Sequence, residues 1–243
     1  MTEQGFMAVT GAAFGIMKAG IDGAGAENSF GVSILLPFET PVTVMQDDPE
    51  SISFHFFFTR KLFFDMEADA CALFPVGFGT QDEGLEVLTL LQTGKPQPMP
   101  LVLMEIPGDN YWKTWDQFVK DQLLARNLIS PEDLSLYKIA HPEEEAGDWI
   151  KFYYSTYHSV RQVHDRLVVR LEEDLSTDQI AELNESFADL LESGEIVKSG
   201  SLRQENDEPE LLSKRRISFR NNKQSAGRLN EMILAINRMG NAA

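Results

Sequence analysis

The strongest constraint on this chain is an alternation of two periodicities. From Phe6 to about His158, short apolar runs of strand length recur between stretches with helical spacing. Residues 70–74 (Ala-Cys-Ala-Leu-Phe) are apolar without a break, the pattern of a strand buried on both faces. Residues 101–106 read as the next strand. Residues 6–9 and 30–36 read as further strands, the second ended by Pro37, and residues 53–58 as a strand or, given their phenylalanines, a helix start. Helices are predicted over 16–24 and 60–67, and from Thr80 onward, where Leu85, Leu88 and Leu91 share one side until Gly94 and Pro96 stop the helix. Trp115, Phe118, Val119 and Leu123 keep helical spacing. Ser130-Pro131-Glu132-Asp133 supplies a cap, and a later helix carries Trp149, Ile150, Tyr153 and Tyr157. Strands alternating with helices predict an α/β fold, Rossmann-like, with a mostly parallel sheet covered by helices on both faces.

Beyond His158 the texture changes. Residues 167–171 read as a strand, and Ser176-Thr177-Asp178-Gln179 as a capping box opening a helix with Ile180, Leu183, Phe187, Leu190 and Leu191 on one face. Ile196-Val197 and residues 217–219 are further strand candidates. Residues 203–213 form a polar, acidic linker, and a helix over 226–236 follows. The expected organisation is a core over 1–160 and a small C-terminal α+β domain over 161–243. Glu182, Glu185, Asp189 and Glu192 read as a solvated helix face, not a metal site.

The charge balance narrows the partners. With 38 acidic against 21 basic residues the formal net charge is −17. A field of that sign repels phosphate backbones and anionic lipid, so neither nucleic acid nor a membrane surface is expected as partner. A small anionic ligand is compatible with it, since backbone N–H groups and one or two arginines outweigh a distant surface field locally. The single cysteine, Cys71, lies in an apolar run and reads as a small buried hydrophobe. Without a membrane-length apolar stretch or a basic leader, the expected location is cytoplasmic.

Two segments carry chemistry. In Leu73-Phe74-Pro75-Val76-Gly77-Phe78-Gly79-Thr80-Gln81-Asp82-Glu83 an apolar strand ends, a glycine loop turns and a helix starts. Free backbone N–H groups and the positive end of a helix dipole then point at one spot, a seat for phosphate. Thr80 adds a hydroxyl, and Glu83 lies near the same rim. A purely structural reading also fits: Thr80 caps the helix and Glu83, three residues on, closes a capping box. In Phe56-Phe57-Phe58-Thr59-Arg60-Lys61 two cations stand among aromatics, where Arg60 suits bidentate binding of phosphate or ribose. Here too the bland alternative is a pair of cations snorkelling from a helix start.

Together these segments resemble the Lonely Guy (LOG) family, often labelled lysine decarboxylases. Its Pro-Gly-Gly-x-Gly-Thr-x-x-Glu motif is met by Pro75, Gly77, Gly79, Thr80 and Glu83, and its Arg-Lys motif by Arg60-Lys61. Thr10-Gly11 through Gly15-Ile16-Met17, Leu36-Pro37-Phe38-Glu39, and the run from Leu88 to Lys95 are also similar to family segments. The resemblance covers roughly residues 6–158. It implies hydrolysis of the N-glycosidic bond of a nucleoside 5′-monophosphate, of AMP or cytokinin type, giving free base and ribose 5-phosphate. It makes Arg60 and Glu83 the catalytic pair, and Gly77, Gly79 and Thr80 the phosphate seat. Lys61, Gly11 and Gly15 would support the substrate. A homodimer is implied, and neither metal nor cofactor: His55, His141, His158 and His164 show no ligand spacing, and nothing singles out a Schiff-base lysine.

Three departures point to an alternative, a nucleotide-binding or scaffold protein without the reaction. The chain starts at what resembles the family's second strand, so the first βα unit is expected to be missing. Val76 replaces the first glycine of the phosphate motif, where a positive φ would strain a β-branched residue. Ala12-Ala13-Phe14 replaces most of a glycine run.

Overall fold

The computed structural model describes residues 2, 5–35, 51–95, 97–141 and 146–241. The proposed strand end at Leu36 and Pro37, the segment Leu36-Pro37-Phe38-Glu39 and the stop at Pro96 lie outside the described residues. The chain divides into two compact units, Met1–Asp69 and Ala70–Ala243.

The first unit holds β1 (Ala8–Thr10), α1 (Ile16–Ala24), β2 (Ser29–Ile34), β3 (Ser51–Phe54) and α2 (Phe57–Glu67). Its strands form a parallel sheet in the order β1-β2-β3, with Val9 opposite Phe30 and Val32 opposite Ile52. Val32 is fully buried, and the hydroxyls of Ser33 and Ser53 meet at 2.7 Å across the sheet. The phenylalanine-rich run is shared between two elements. β3 ends at Phe54, Phe56 is extended, and α2 begins at Phe57, where the Thr59 hydroxyl donates to the Phe56 carbonyl at 2.9 Å. Phe63 holds α2 to the sheet through ring contacts with Phe30 and Phe54, at 5.9 and 5.8 Å. On the other side Phe58, Leu62 and Met66, spaced by four residues, are 68%, 56% and 71% exposed.

The second unit opens with β4 (Cys71–Leu73), α3 (Phe78–Gln92), β5 (Leu101–Met104), α4 (Tyr111–Phe118), β6 (Tyr137–Ala140) and α5 (Ala146–Tyr153). The parallel order is β4-β5-β6, with Leu73 opposite Leu103 and Leu103 opposite Ile139. The central strand is the buried one: Leu101, Val102 and Leu103 are all essentially inaccessible. β4 lies at the sheet edge and leaves Ala72 exposed, so the expectation of burial on both faces is corrected. The helical spacing that continues past Phe118 belongs to a wider π turn over Val119–Leu123. Ser130 and Asp133 do form a capping box, on a short 3-10 helix (Pro131–Leu136) that leads into β6. Sequence periodicity does not mark β6.

An antiparallel sheet follows in the same unit. β7 (Tyr157–Val163), β8 (Arg166–Leu171), β9 (Leu191–Lys198) and β10 (Arg215–Asn221) are ordered β7-β8-β10-β9. α6 (Thr177–Ser186) opens with the predicted Ser176/Gln179 capping box, and α7 (Ala226–Asn241) packs Met232, Ile233 and Ile236 into a core with Val169, Leu171, Ile217 and Phe219. Tyr157 starts a strand instead of extending the helix of Trp149 and Tyr153. Asn237 of α7 fixes that turn: its side-chain oxygen accepts the Thr156 and Tyr157 N–H groups at 3.0 and 2.8 Å, and its amide donates to the Tyr153 carbonyl at 2.6 Å. Leu191 likewise begins β9 and not the end of a helix.

The stretch read as an acidic linker is folded. Glu205 is fully buried, where it accepts from Arg170 at 2.8 and 3.0 Å and from Arg216 at 3.3 Å. Glu208 also pairs with Arg170, and both Glu208 and Asp207 with Arg161. The acids of this segment answer Arg161 of β7, Arg170 of β8 and Arg216 of β10, the last two on the sheet face opposite the core residues Val169, Leu171, Ile217 and Phe219. Among the described residues no helix is long and apolar enough to cross a membrane.

Candidate functional site

In parallel α/β sheets ligands gather at the carboxyl ends of the strands, where loops and helix N-termini converge. In the first unit, β1 ends at Thr10 and the chain turns through Gly11–Gly15 into α1. Gly11 is there because nothing larger fits: a Cβ would stand 2.9 Å from the Met17 sulfur and 3.8 Å from an Arg60 guanidinium nitrogen. The site candidates Gly11 and Arg60 are therefore neighbours. Arg60 is partly buried, with its guanidinium 5.6 Å from the Phe57 ring and 5.8 Å from the Phe64 ring. These aromatic faces help to orient the cation. Lys61 follows on the same helix. Gly15 is the N-cap of α1 at φ 84°, a conformation that glycine adopts without strain, and a Cβ there would meet only open space. Between them, Ala12 holds a left-handed φ of 52°, and its N–H already donates to the Thr10 hydroxyl at 3.1 Å.

In the second unit the glycine loop after β4 carries the other candidates. α3 starts at Phe78, two residues earlier than expected, with Gly77 as N-cap and no side-chain cap. The capping-box reading of Thr80 and Glu83 is thereby corrected. The Thr80 N–H is taken by the Gly77 carbonyl at 3.2 Å, which leaves the Phe78 and Gly79 N–H groups as the first-turn donors. Cβ atoms at Gly77 and Gly79 would meet nothing, and Phe78 is 95% exposed, so the loop surface is open. Gly79 and Glu83 stand four residues apart and share a side of α3. Val76 is exposed, and its φ is not positive, so the strain expected at this position is absent.

Three residues that the motif reading missed set this loop. Gly84 lets α3 lie close on β4, since a Cβ there would come within 2.6 Å of the Leu73 side chain. Tyr111, the first residue of α4, donates its hydroxyl to the Val76 carbonyl at 2.9 Å and accepts from the Gln81 amide at 2.7 Å, bracing loop and helix together. Glu105 follows β5 at the level where Pro75 follows β4, given the pairing of Leu103 with Leu73. It is buried; one carboxylate oxygen accepts the Lys113 N–H at 3.0 Å, and the other makes no hydrogen bond among the described residues. A glycine inside a helix was the only sequence signal for any of the three.

The described residues hold no grouping of three His, Cys, Asp or Glu side chains fit for a metal ion. Gly11, Gly15, Arg60 and Lys61 belong to the first unit, and Gly77, Gly79, Thr80 and Glu83 to the second.

Residues 1–150 match the family model described as "Possible lysine decarboxylase". No curated protein matches the chain.

Proposed function

Since the chain belongs to the LOG family, the family of that "Possible lysine decarboxylase" description, we propose that it hydrolyses the N-glycosidic bond of a nucleoside 5′-monophosphate. The products are free base and ribose 5-phosphate. The observation that carries this reading is the opening of α3: unshielded Phe78 and Gly79 N–H groups with Glu83 on the same helical side. The 5′-phosphate binds at those donors and the positive end of the helix dipole, helped by the Thr80 hydroxyl. As the bond between base nitrogen and anomeric carbon breaks, positive charge develops on the ribose. The Glu83 carboxylate stabilises that charge and draws a proton from the attacking water, whose oxygen joins the anomeric carbon. The electron pair of the broken bond leaves with the base, which takes up a proton. Arg60, held by two phenylalanine rings, orients the nucleotide and assists the departing base, with Lys61 in support. Gly15 leaves room for the ligand, and Gly11 lets Met17 and Arg60 approach the backbone.

The test is to incubate the protein with AMP and other nucleoside monophosphates and measure base and ribose 5-phosphate together. Release of both in equal amounts, lost in Arg60→Ala, is the expected result; no release by wild type rejects the proposal. Binding without turnover is the second reading. Its support is the loop after β1, where Ala12 is fully buried and spends its N–H on the Thr10 hydroxyl, leaving none for a phosphate. It predicts thermal stabilisation by AMP with no products.

A homodimer is part of the same proposal. The stripe of Phe58, Leu62 and Met66 on α2 supports it, as exposed apolar side chains at helical spacing are costly unless a partner covers them.

A further inference from the structure

A cavity of about 400 Å³ lies in the second unit where β6 and α5 meet α7. That volume is within the range of small-molecule sites, roughly 300–1,000 Å³. Its wall is split between residues inside the family match, Ser135 to Trp149, and residues beyond it, Phe187 to Arg238. It is distinct from the glycine-loop site, and the family domain alone does not form it.

The lining has a definite chemistry. Trp149 supplies aromatic surface, Phe187 is buried behind Arg228, and Lys138, Arg228 and Arg238 supply three cations against Glu231 and the Asp189 that pairs with Arg228. Such a local excess of positive charge is unexpected in a chain with a net charge of −17. The three cations are not equivalent. Arg228 is committed: it pairs with Asp189 at 2.8 Å and with Glu231 at 2.7 Å, and lies 4.4 Å from the centre of the Phe187 ring. Its charge is more than matched by these two carboxylates, so it serves as a fixed wall and the positive charge of the site is that of Lys138 and Arg238. Lys138 and Arg238 are exposed, and neither forms an ion pair with a described residue. The Lys138 ammonium lies over the Trp149 ring, 5.5 Å from its centre, so a charge that no described acid pairs is held at an aromatic face by a cation–π contact.

We propose that this cavity binds a small aromatic anion, a planar ring carrying phosphate or carboxylate. The ring stacks on Trp149, and the acid group lies between Lys138 and Arg238. A neutral ring would leave both cations without a partner, and a bare anion would leave the aromatic surface wet. Only a ligand with both features uses the whole wall. The site does not rest on the proposed hydrolysis.

The probe is 1-naphthyl phosphate, which has no glycosidic bond and so reports on this cavity whatever the catalytic activity. The full chain is labelled with 5-fluorotryptophan, whose three ¹⁹F signals come from Trp112, Trp115 and Trp149. Loss of one signal in Trp149→Phe assigns it. Saturable displacement of the Trp149 signal is expected, with affinity at least about tenfold weaker in Lys138→Glu/Arg238→Glu and retained in Lys138→Arg/Arg238→Lys. 1-Naphthol and inorganic phosphate should each bind at least about tenfold more weakly than the probe. An unmoved Trp149 signal overturns the site. Equal binding by the charge-reversed variant or by naphthol overturns the anion requirement, and a full shift with phosphate alone overturns the aromatic one. Arg60→Ala should leave the titration unchanged, which separates failure here from failure of the hydrolase reading.

Discussion

Gly11 and Arg60 are packed so closely that a methyl group on the glycine would stand 3.8 Å from a guanidinium nitrogen of the arginine and 2.9 Å from the Met17 sulfur. Gly11→Ala must therefore move Met17, while 3.8 Å is an ordinary contact with Arg60. Methionine is flexible, so the expected stability cost is only about 1 kcal/mol. The expected loss in kcat/KM is larger, roughly tenfold, because the new methyl and the shifted Met17 side chain both lie beside Arg60. Adding Met17→Ala should restore most of the activity. Thermal melts and turnover with AMP, taken on the same three proteins, check the order.

At Gly79 stability and function should part. The Cβ of Gly79→Ala meets nothing, and alanine favours the helix by up to about 1 kcal/mol, so Tm should rise. The same methyl stands over the amide proposed to hold phosphate, so KM for the nucleotide should increase several-fold. A lower Tm, or an unchanged KM, counts against an open anion seat at this turn.

Acid should act on the second unit through Glu205. Burial pushes this carboxyl up, but the Leu202 N–H and the guanidiniums of Arg170 and Arg216 outweigh it and hold it below the ordinary glutamate value of 4.5. A lowered carboxyl stabilises the fold fully above that ordinary value. The contribution is lost as the pH falls through the lowered one. Glu205→Gln should cost roughly 3–5 kcal/mol at neutral pH, since it leaves buried Arg216 with carbonyls alone and Arg170 with only Glu208, and should flatten the acid limb of Tm against pH. An equally steep acid limb in the variant would place the sensitivity elsewhere.

Leu62 sits at the middle of the exposed stripe on α2. Leu62→Glu should turn a dimer into a monomer in sedimentation equilibrium while leaving the monomer's circular dichroism intact. A wild-type chain that sediments as a monomer would remove the stripe's proposed partner.

Elements with local causes were legible in the sequence. Gly15 before α1, Gly94 after α3 and the Ser176/Gln179 box each act within a few residues. β7 was not, because Trp149, Tyr153 and Tyr157 keep a four-residue spacing although the chain turns after Tyr153. That turn is held by Asn237, about eighty residues away, and no periodicity reports it. Edge position is likewise a property of strand order, so the apolar run of β4 read as doubly buried. The buried acid of the supposed linker depends on Arg170 and Arg216, which only folding brings to it. In the candidate site the motif residues were readable from the glycine loop and the arginine–lysine pair. Tyr111 was not, since it acts on a carbonyl thirty-five residues earlier.

The most direct test of the hydrolase proposal compares wild type with Glu83→Gln, following base and ribose 5-phosphate released from AMP alongside AMP binding. Glutamine keeps the size but removes the charge that would face the developing cation. Turnover should fall at least about a thousandfold, with the dissociation constant changed by less than about threefold. Equal turnover by the two proteins would contradict the role given to this carboxylate.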